Sequence, residues 1–203
     1  MSKGFTRLTA TAALMPAANV DTDVIMPKQF LKGIDRAGLA RGLFHDLRFD
    51  PQGEPDPSFV LNQPGMESCQ ILITGHNFGC GSSREHAVWG MLQYGIRAIV
   101  GTSFAGIFAD NAANNGLLLI TLEQDQYDRL SLHQEQKLGK LTIDLEAQTI
   151  LAGDLVLPFA IDARRRRAIM LGLDRIAETL TEADAILSFE AAYHAASPWL
   201  VGA

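Results

Sequence analysis

Cysteine is scarce in this chain: 203 residues carry two, Cys69 and Cys80. Two thiols make neither a disulfide framework nor a cysteine metal cage, and no His-Glu-x-x-His or Cys-x-x-Cys pair occurs among the scattered histidines. Positive charge is also in deficit, with 17 Lys and Arg against 23 Asp and Glu and a formal net charge of -6, which argues against general nucleic-acid binding. The one basic run, Arg164 to Arg167, reads as a solvated helix face or a partner contact. No apolar stretch approaches a membrane span, and residues 1–11 lack the apolar core of a signal peptide. A cytoplasmic protein is expected. Repeats are absent, and 47% hydrophobic with 20% charged residues is ordinary for a globular chain long enough to bury a core.

What the chain does have is a loop, Asn77-Phe78-Gly79-Cys80-Gly81-Ser82-Ser83-Arg84-Glu85-His86, between an apolar run at 71–74 and a helix-compatible segment at 87–92. It falls at the carboxyl end of a strand, where open α/β sheets hold ligands. Gly79 and Gly81 permit a sharp turn and a close approach. Ser82 and Glu85 have capping-box spacing, which predicts Ser82 at or beside the helix N-cap, with amides and dipole favouring an anion. Arg84 opposes that dipole, and an incoming carboxylate supplies a reason for it. The loop fits no P-loop, because no Lys-Ser or Lys-Thr follows the last glycine. It fits no dinucleotide fingerprint, because Arg84 stands where a small residue belongs, and no Gly-x-Ser-x-Gly elbow, because the second glycine is missing. Two other readings stay open: a plain glycine turn with a cap, and a nucleophilic Cys80 thiol, with His86 as its helper.

Around the loop the pattern alternates. Strands are expected at 70–74, 97–101 and 117–121, with helices at 84–94 and about 104–114, implying a parallel βαβαβ core. Gly95 and Gly116 stand where helices end. A helix is expected over 123–136, then a hairpin of 141–145 and 149–151, then two helical stretches, 162–171 and 174–192, broken at Gly172. The front is less regular. Prolines 51, 55, 57 and 64 mark a long irregular connection, about 46–66. Asp21 and Asp23 flank Thr22 before an apolar triplet; in isolation they read as turn caps.

Residues 79–87, Gly-x-Gly-Ser-Ser-Arg-Glu-His-Ala, resemble the signature of the swivelling domain of aconitase-type hydro-lyases. Arg97-Ala98-Ile99-Val100, Ser103-Phe104-Ala105-x-Ile107-Phe108, Asn111, Asn115 and Gly116-Leu117-Leu118 extend the likeness, as does Asp21-Thr22-Asp23-x-Ile25 followed by Phe30-Leu31-Lys32. Over its full length the chain is similar to the bacterial small-subunit family of 3-isopropylmalate dehydratases. The supporting segments are Pro27-Lys28-Gln29-Phe30-Leu31, Leu43-Phe44-His45-Asp46, Phe59-Val60-Leu61-Asn62 and Gly172-Leu173-Asp174-x-Ile176-x-x-Thr179-Leu180.

The resemblance implies an α/β fold: one swivelling β/β/α domain over 1–203 with the parallel core at its centre. It also implies half an active site. A separate large subunit would carry a 4Fe-4S cluster on three cysteines, its iron acting as Lewis acid, and this chain would hold no cofactor. The reaction is dehydration and rehydration of 2-isopropylmalate through 2-isopropylmaleate, in leucine biosynthesis. Ser82 corresponds to the family's base, and Ser83 and Arg84 to carboxylate ligands. Asp23, and Asp21 beside it, organise polar contacts, with Gly79, Gly81 and Glu85 in support. Leu31 and Ile34 are expected to face the isopropyl group, whose burial is worth roughly 1.5–3 kcal/mol, although Arg36 follows closely. Competing readings are a small subunit acting on citraconate or another methylated diacid, and a non-catalytic anion-binding module.

Overall fold

The computed structural model describes residues 4–31, 38–136 and 139–200. A mixed seven-stranded sheet organises it, in the order β4-β3-β2-β1-β5-β6-β7. Strands β2 (Cys69–Thr74), β3 (Ala98–Gly101) and β4 (Leu118–Thr121) are mutually parallel. Helices α4 (Glu85–Tyr94) and α5 (Gly106–Asn115) connect them, which is the expected βαβαβ unit. Side chains alternate across β2: Leu72 joins one core cluster with Phe78, Met91 and Phe108, while Ile71 and Ile73 join the other with Val100, Ile120 and Ile143. Both faces are covered, so these strands read as continuous apolar runs.

The strand at the centre, β1 (Arg7–Met15), has no expectation from sequence behind it. It pairs parallel with β2 and antiparallel with β5 (Lys140–Asp144), and its register shifts between Thr11 and Ala12. Alanine at 10, 12 and 13 gives little β-propensity, so periodicity is weak there. Pairing on both sides overrides it. The buried Gln134 amide, from helix α6 (Gln124–Gln136), donates to the Ala12 carbonyl at 2.7 Å.

The hairpin of β5 and β6 (Thr149–Ala152) forms as expected, and β7 (Leu155–Pro158) adds an unanticipated edge strand. Proline is tolerated at such an edge. The front carries three single-turn helices, α1 (Thr22–Ile25), α2 (Leu39–Gly42) and α3 (His45–Arg48). The irregular connection is tied internally: Asn62 Nδ2 donates to the Arg48 carbonyl at 2.6 Å and to that of Asp56 at 2.8 Å. The tail holds three helices rather than two, α7 (Ala163–Leu171), α8 (Arg175–Leu180) and α9 (Ala183–Ala196). Asp162 and Asp174 cap the first two, and Gly172 at φ 68 ends α7. No described helix is long and apolar enough to cross a membrane.

Candidate active site

The glycine loop leaves β2 and is stitched to two neighbours. On one side it pairs with the loop after β3: Phe78 N donates to the Ser103 carbonyl at 3.3 Å, and Ala105 N to the Phe78 carbonyl at 3.0 Å. The Ser103 hydroxyl and His76 Nδ1 lie 2.8 Å apart, and Asn77 N donates to that hydroxyl. On the other side residues 19–22 run along the loop. Asn19 N donates to the His76 carbonyl, Gly79 N to that of Val20, and Thr22 N to that of Cys80, each at 2.8 Å. The buried Thr22 hydroxyl adds a bond to the Ser82 carbonyl at 2.9 Å. Two segments some 60 positions apart thus form one clasp.

Gly79 has φ 78, and a Cβ built on it meets the Phe108 ring atoms at 2.3–2.7 Å. The loop needs this glycine for both its angle and its proximity to Phe108. Gly81, at φ 90, needs it chiefly for its angle, since the nearest atom to its Cβ would be Asp21 Cβ at 3.4 Å.

The helix does not begin where the serine spacing suggested. Arg84 is the N-cap of α4, extended at φ -123 and ψ 99, with no side-chain capping bond. Ser82 lies two residues before it. Ser82 is therefore not the cap, and the Ser82–Glu85 capping box does not form, because α4 starts only at Glu85 with Arg84 extended before it. Both serines are exposed, and neither hydroxyl has a hydrogen-bond partner among the described residues. Glu85 turns sideways instead: its carboxylate accepts from Asn115 Nδ2, at the end of α5, at 2.6 Å.

Arg84 points back across the clasp and forms an ion pair with Asp23. The Arg84 side chain is 13% exposed and that of Asp23 is 44% exposed, so the pair lies at the edge of the site rather than in the core. The two aspartates divide their work. Asp21 is the N-cap of α1, and its Oδ1 accepts from the amides of Asp23 and Val24, both at 2.8 Å. The capping alternative holds for Asp21, whereas Asp23 reaches Arg84.

Leu31 is half-buried, and its packing is against the core cluster of Met26, Leu39 and Phe44. Ile34 lies outside the described residues, with Lys32 and Arg36. Cys80 Sγ donates to the Asn19 carbonyl at 3.3 Å, while His86 packs on Trp89 with ring centroids 4.7 Å apart. No hydrogen bond joins that cysteine and histidine. Cys69 is buried in β2, and its thiol is pushed up to about 11 by burial. Among the described residues no three His, Cys, Asp or Glu come together to hold a metal, so these side chains do not fit an iron–sulfur cluster. In the sequence, Thr22 and Asn115 stand out only as part of the family likeness, with no role attached to either. The signals available were a small hydroxyl between two aspartates and an asparagine at a helix end.

The model of the aconitase C-terminal domain matches residues 2–125, a LeuD_N model matches residues 135–163, and that of the C-terminal domain of the 3-isopropylmalate dehydratase small subunit matches residues 176–203. A 3-isopropylmalate dehydratase small subunit 1 of Mannheimia succiniciproducens is 50% identical over 97% of this chain and 98% of its own length. The chain belongs to the 3-isopropylmalate dehydratase small-subunit family. A second member, from Phenylobacterium zucineum, is 48% identical over 99% of this chain and 100% of its own. The crystal structure of a 3-isopropylmalate dehydratase (leuD) from Methanocaldococcus jannaschii superposes with a TM-score of 0.65 at 28% identity, covering 91% of this chain and 99% of that one. The fold is thus the aconitase-type domain of that family. Its parallel half carries the glycine loop, and the family is a hydro-lyase family.

Proposed function

We propose that this chain works with a separate large subunit to interconvert 2-isopropylmalate and 3-isopropylmalate through 2-isopropylmaleate, in the cytoplasm, with the 4Fe-4S cluster on that large subunit. The observation that carries the site assignment is the clasped loop itself. It presents two unengaged hydroxyls, Ser82 and Ser83, on a backbone fixed by Thr22, next to a guanidinium held by Asp23. That arrangement suits a reaction in which a proton leaves a carbon next to a carboxylate.

Arg84 offers paired donors to one substrate carboxylate, and the Ser83 hydroxyl adds a neutral one. Ser82 takes the proton. A neutral serine is a poor base, so its alkoxide must be favoured by nearby positive charge. Since Ser82 is not the helix cap, Arg84 carries more of that stabilisation than the α4 dipole does. Docking of the large subunit removes screening water from the exposed loop and strengthens the interaction. Protonated Ser82 then returns its proton on the reverse, hydrating pass.

The test is kinetic. In the complex with a family large subunit, reconstituted anaerobically, Ser82→Ala should abolish 2-isopropylmalate turnover while the complex still forms. Arg84→Lys should be nearly as damaging, because a point charge does not reproduce paired donors. Near-normal turnover by an intact Ser82→Ala complex removes Ser82 as the base.

A further inference from the structure

Asn115 occupies the last position of α5, beside the first turn of α4. Its Nδ2 donates to Glu85 Oε1 at 2.6 Å and to the Asn111 carbonyl at 2.9 Å, and its Oδ1 accepts from Trp89 Nε1 at 3.0 Å. Both ends of one short amide are engaged. Asn111 fixes it to its own helix, while Trp89 and Glu85 lie one turn apart on the other. An amide held at both ends has a fixed orientation, so its donor stays aimed at Glu85.

What makes this bond matter is the neighbour of Glu85 in sequence. Arg84 is adjacent, and a flexible carboxylate next to a guanidinium has an evident alternative partner. Asp23 already neutralises part of that guanidinium. A second internal carboxylate would compete directly with an incoming anion for the remaining donors. In the structure Glu85 instead points to α5, with a bond just shorter than the usual N–H···O range.

We propose that Asn115 is a positioning residue for substrate binding: it holds the Glu85 carboxylate on the α5 side of α4 and so keeps Arg84 open to a substrate carboxylate. The proposal rests on the reading of Arg84 given above. It assigns Asn115 an effect on binding, with no part in proton transfer.

The experiment uses the complex of both subunits, with 2-isopropylmalate kinetics and thermal unfolding on each variant. Asn115→Ala frees Glu85 and should raise KM about two- to fivefold with kcat nearly unchanged, the scale of a partly exposed ion pair competing for Arg84. Asn115→Asp has the same shape and keeps an acceptor for Trp89, yet repels Glu85, so it should raise KM at least as much. The deciding variant is Asn115→Ala with Glu85→Gln. It restores no hydrogen bond, but it removes the competing charge, and KM should return toward the wild-type value. A role confined to tying the helices together would leave that double variant as impaired as the single one, and this result overturns the proposal. A loss in kcat alone overturns it too. Arg84→Ala separates the two layers of inference. If it leaves KM unmoved, the carboxylate-binding reading of Arg84 falls and takes the proposal with it. If it raises KM steeply while Asn115→Ala does not, only the role of Asn115 falls.

Discussion

The glycine-loop end of the molecule and its C-terminal arm are built on opposite principles. Around the loop, most backbone groups from Asn19 to Thr22 and from His76 to Gly79 are hydrogen-bonded, and Phe78 and Phe108 pack edge to face, 5.5 Å apart. Helices α8 and α9 contain no buried residue, and Ile176 and Trp199 are 73% and 78% exposed. Yet the arm has the better local signals, with clear aspartate caps on α7 and α8. Local propensity makes a helix; it does not give that helix anything to lean on. The loop, with poorer local signals, is the better fixed because tertiary bonds hold it.

The comparison breaks most visibly at Gly79. Gly79→Ala drives a Cβ into the Phe108 ring at a positive φ, and the overpacking alone should cost about 1–3 kcal/mol, with the backbone angle adding to it. Urea unfolding of the isolated chain measures this, and an unchanged midpoint means that the loop is softer than the contacts imply. Thr22→Val should come next. It deletes the bond to the Ser82 carbonyl at nearly constant shape, at about 0.5–1.5 kcal/mol. If Ser82 is the base proposed above, turnover in the complex should fall more than stability does, because the lost bond fixes the Ser82 carbonyl.

Ser82→Ala should change stability by less than about 0.5 kcal/mol despite abolishing turnover, since its hydroxyl caps nothing. Deleting residues 182–203 should likewise leave the urea midpoint of the body nearly unchanged, because α9 buries no side chain. A large drop there means that the arm supports the sheet after all.

The smallest effect concerns acid. Arg164 pairs with Glu178 between α7 and α8 and holds that carboxyl below its usual range, chiefly through the hydrogen bond. A depressed carboxyl contributes stability that is present above its unfolded pKa and is lost as pH falls through the folded one. The wild type should therefore be slightly more helical than Glu178→Gln above about pH 4.3, the ordinary glutamate value, and that margin should fade as pH falls below it. The difference should shrink in salt, because the pair is at the surface.

Much of the parallel core was legible in sequence because its strands are buried on both faces and its helices end at Gly95 and Gly116, both in the left-handed region. β1 was not, because alanines carry almost no strand signal and its partners lie at 69–74 and 140–144. The place of the loop after β2 and its turn were legible from Gly79 and Gly81, but the rest of its geometry was not. Serine three residues before glutamate fits a capping box wherever a helix starts, and spacing alone does not reveal that α4 begins only at Glu85, with Arg84 extended before it. The Asp23–Arg84 pair was equally hidden. It depends on the Thr22 clasp, a long-range contact that no local pattern encodes.

That clasp sets a rule for redesign. Because the Thr22 hydroxyl reaches the Ser82 carbonyl and Cys80 accepts from the Thr22 amide, the front turn and the serine loop behave as one cassette delivered in two instalments. Grafting residues 76–85 alone into a relative would import the Ser82 hydroxyl without its guy-rope. A chimera meant to exchange substrate preference should carry residues 19–24 in the same transfer.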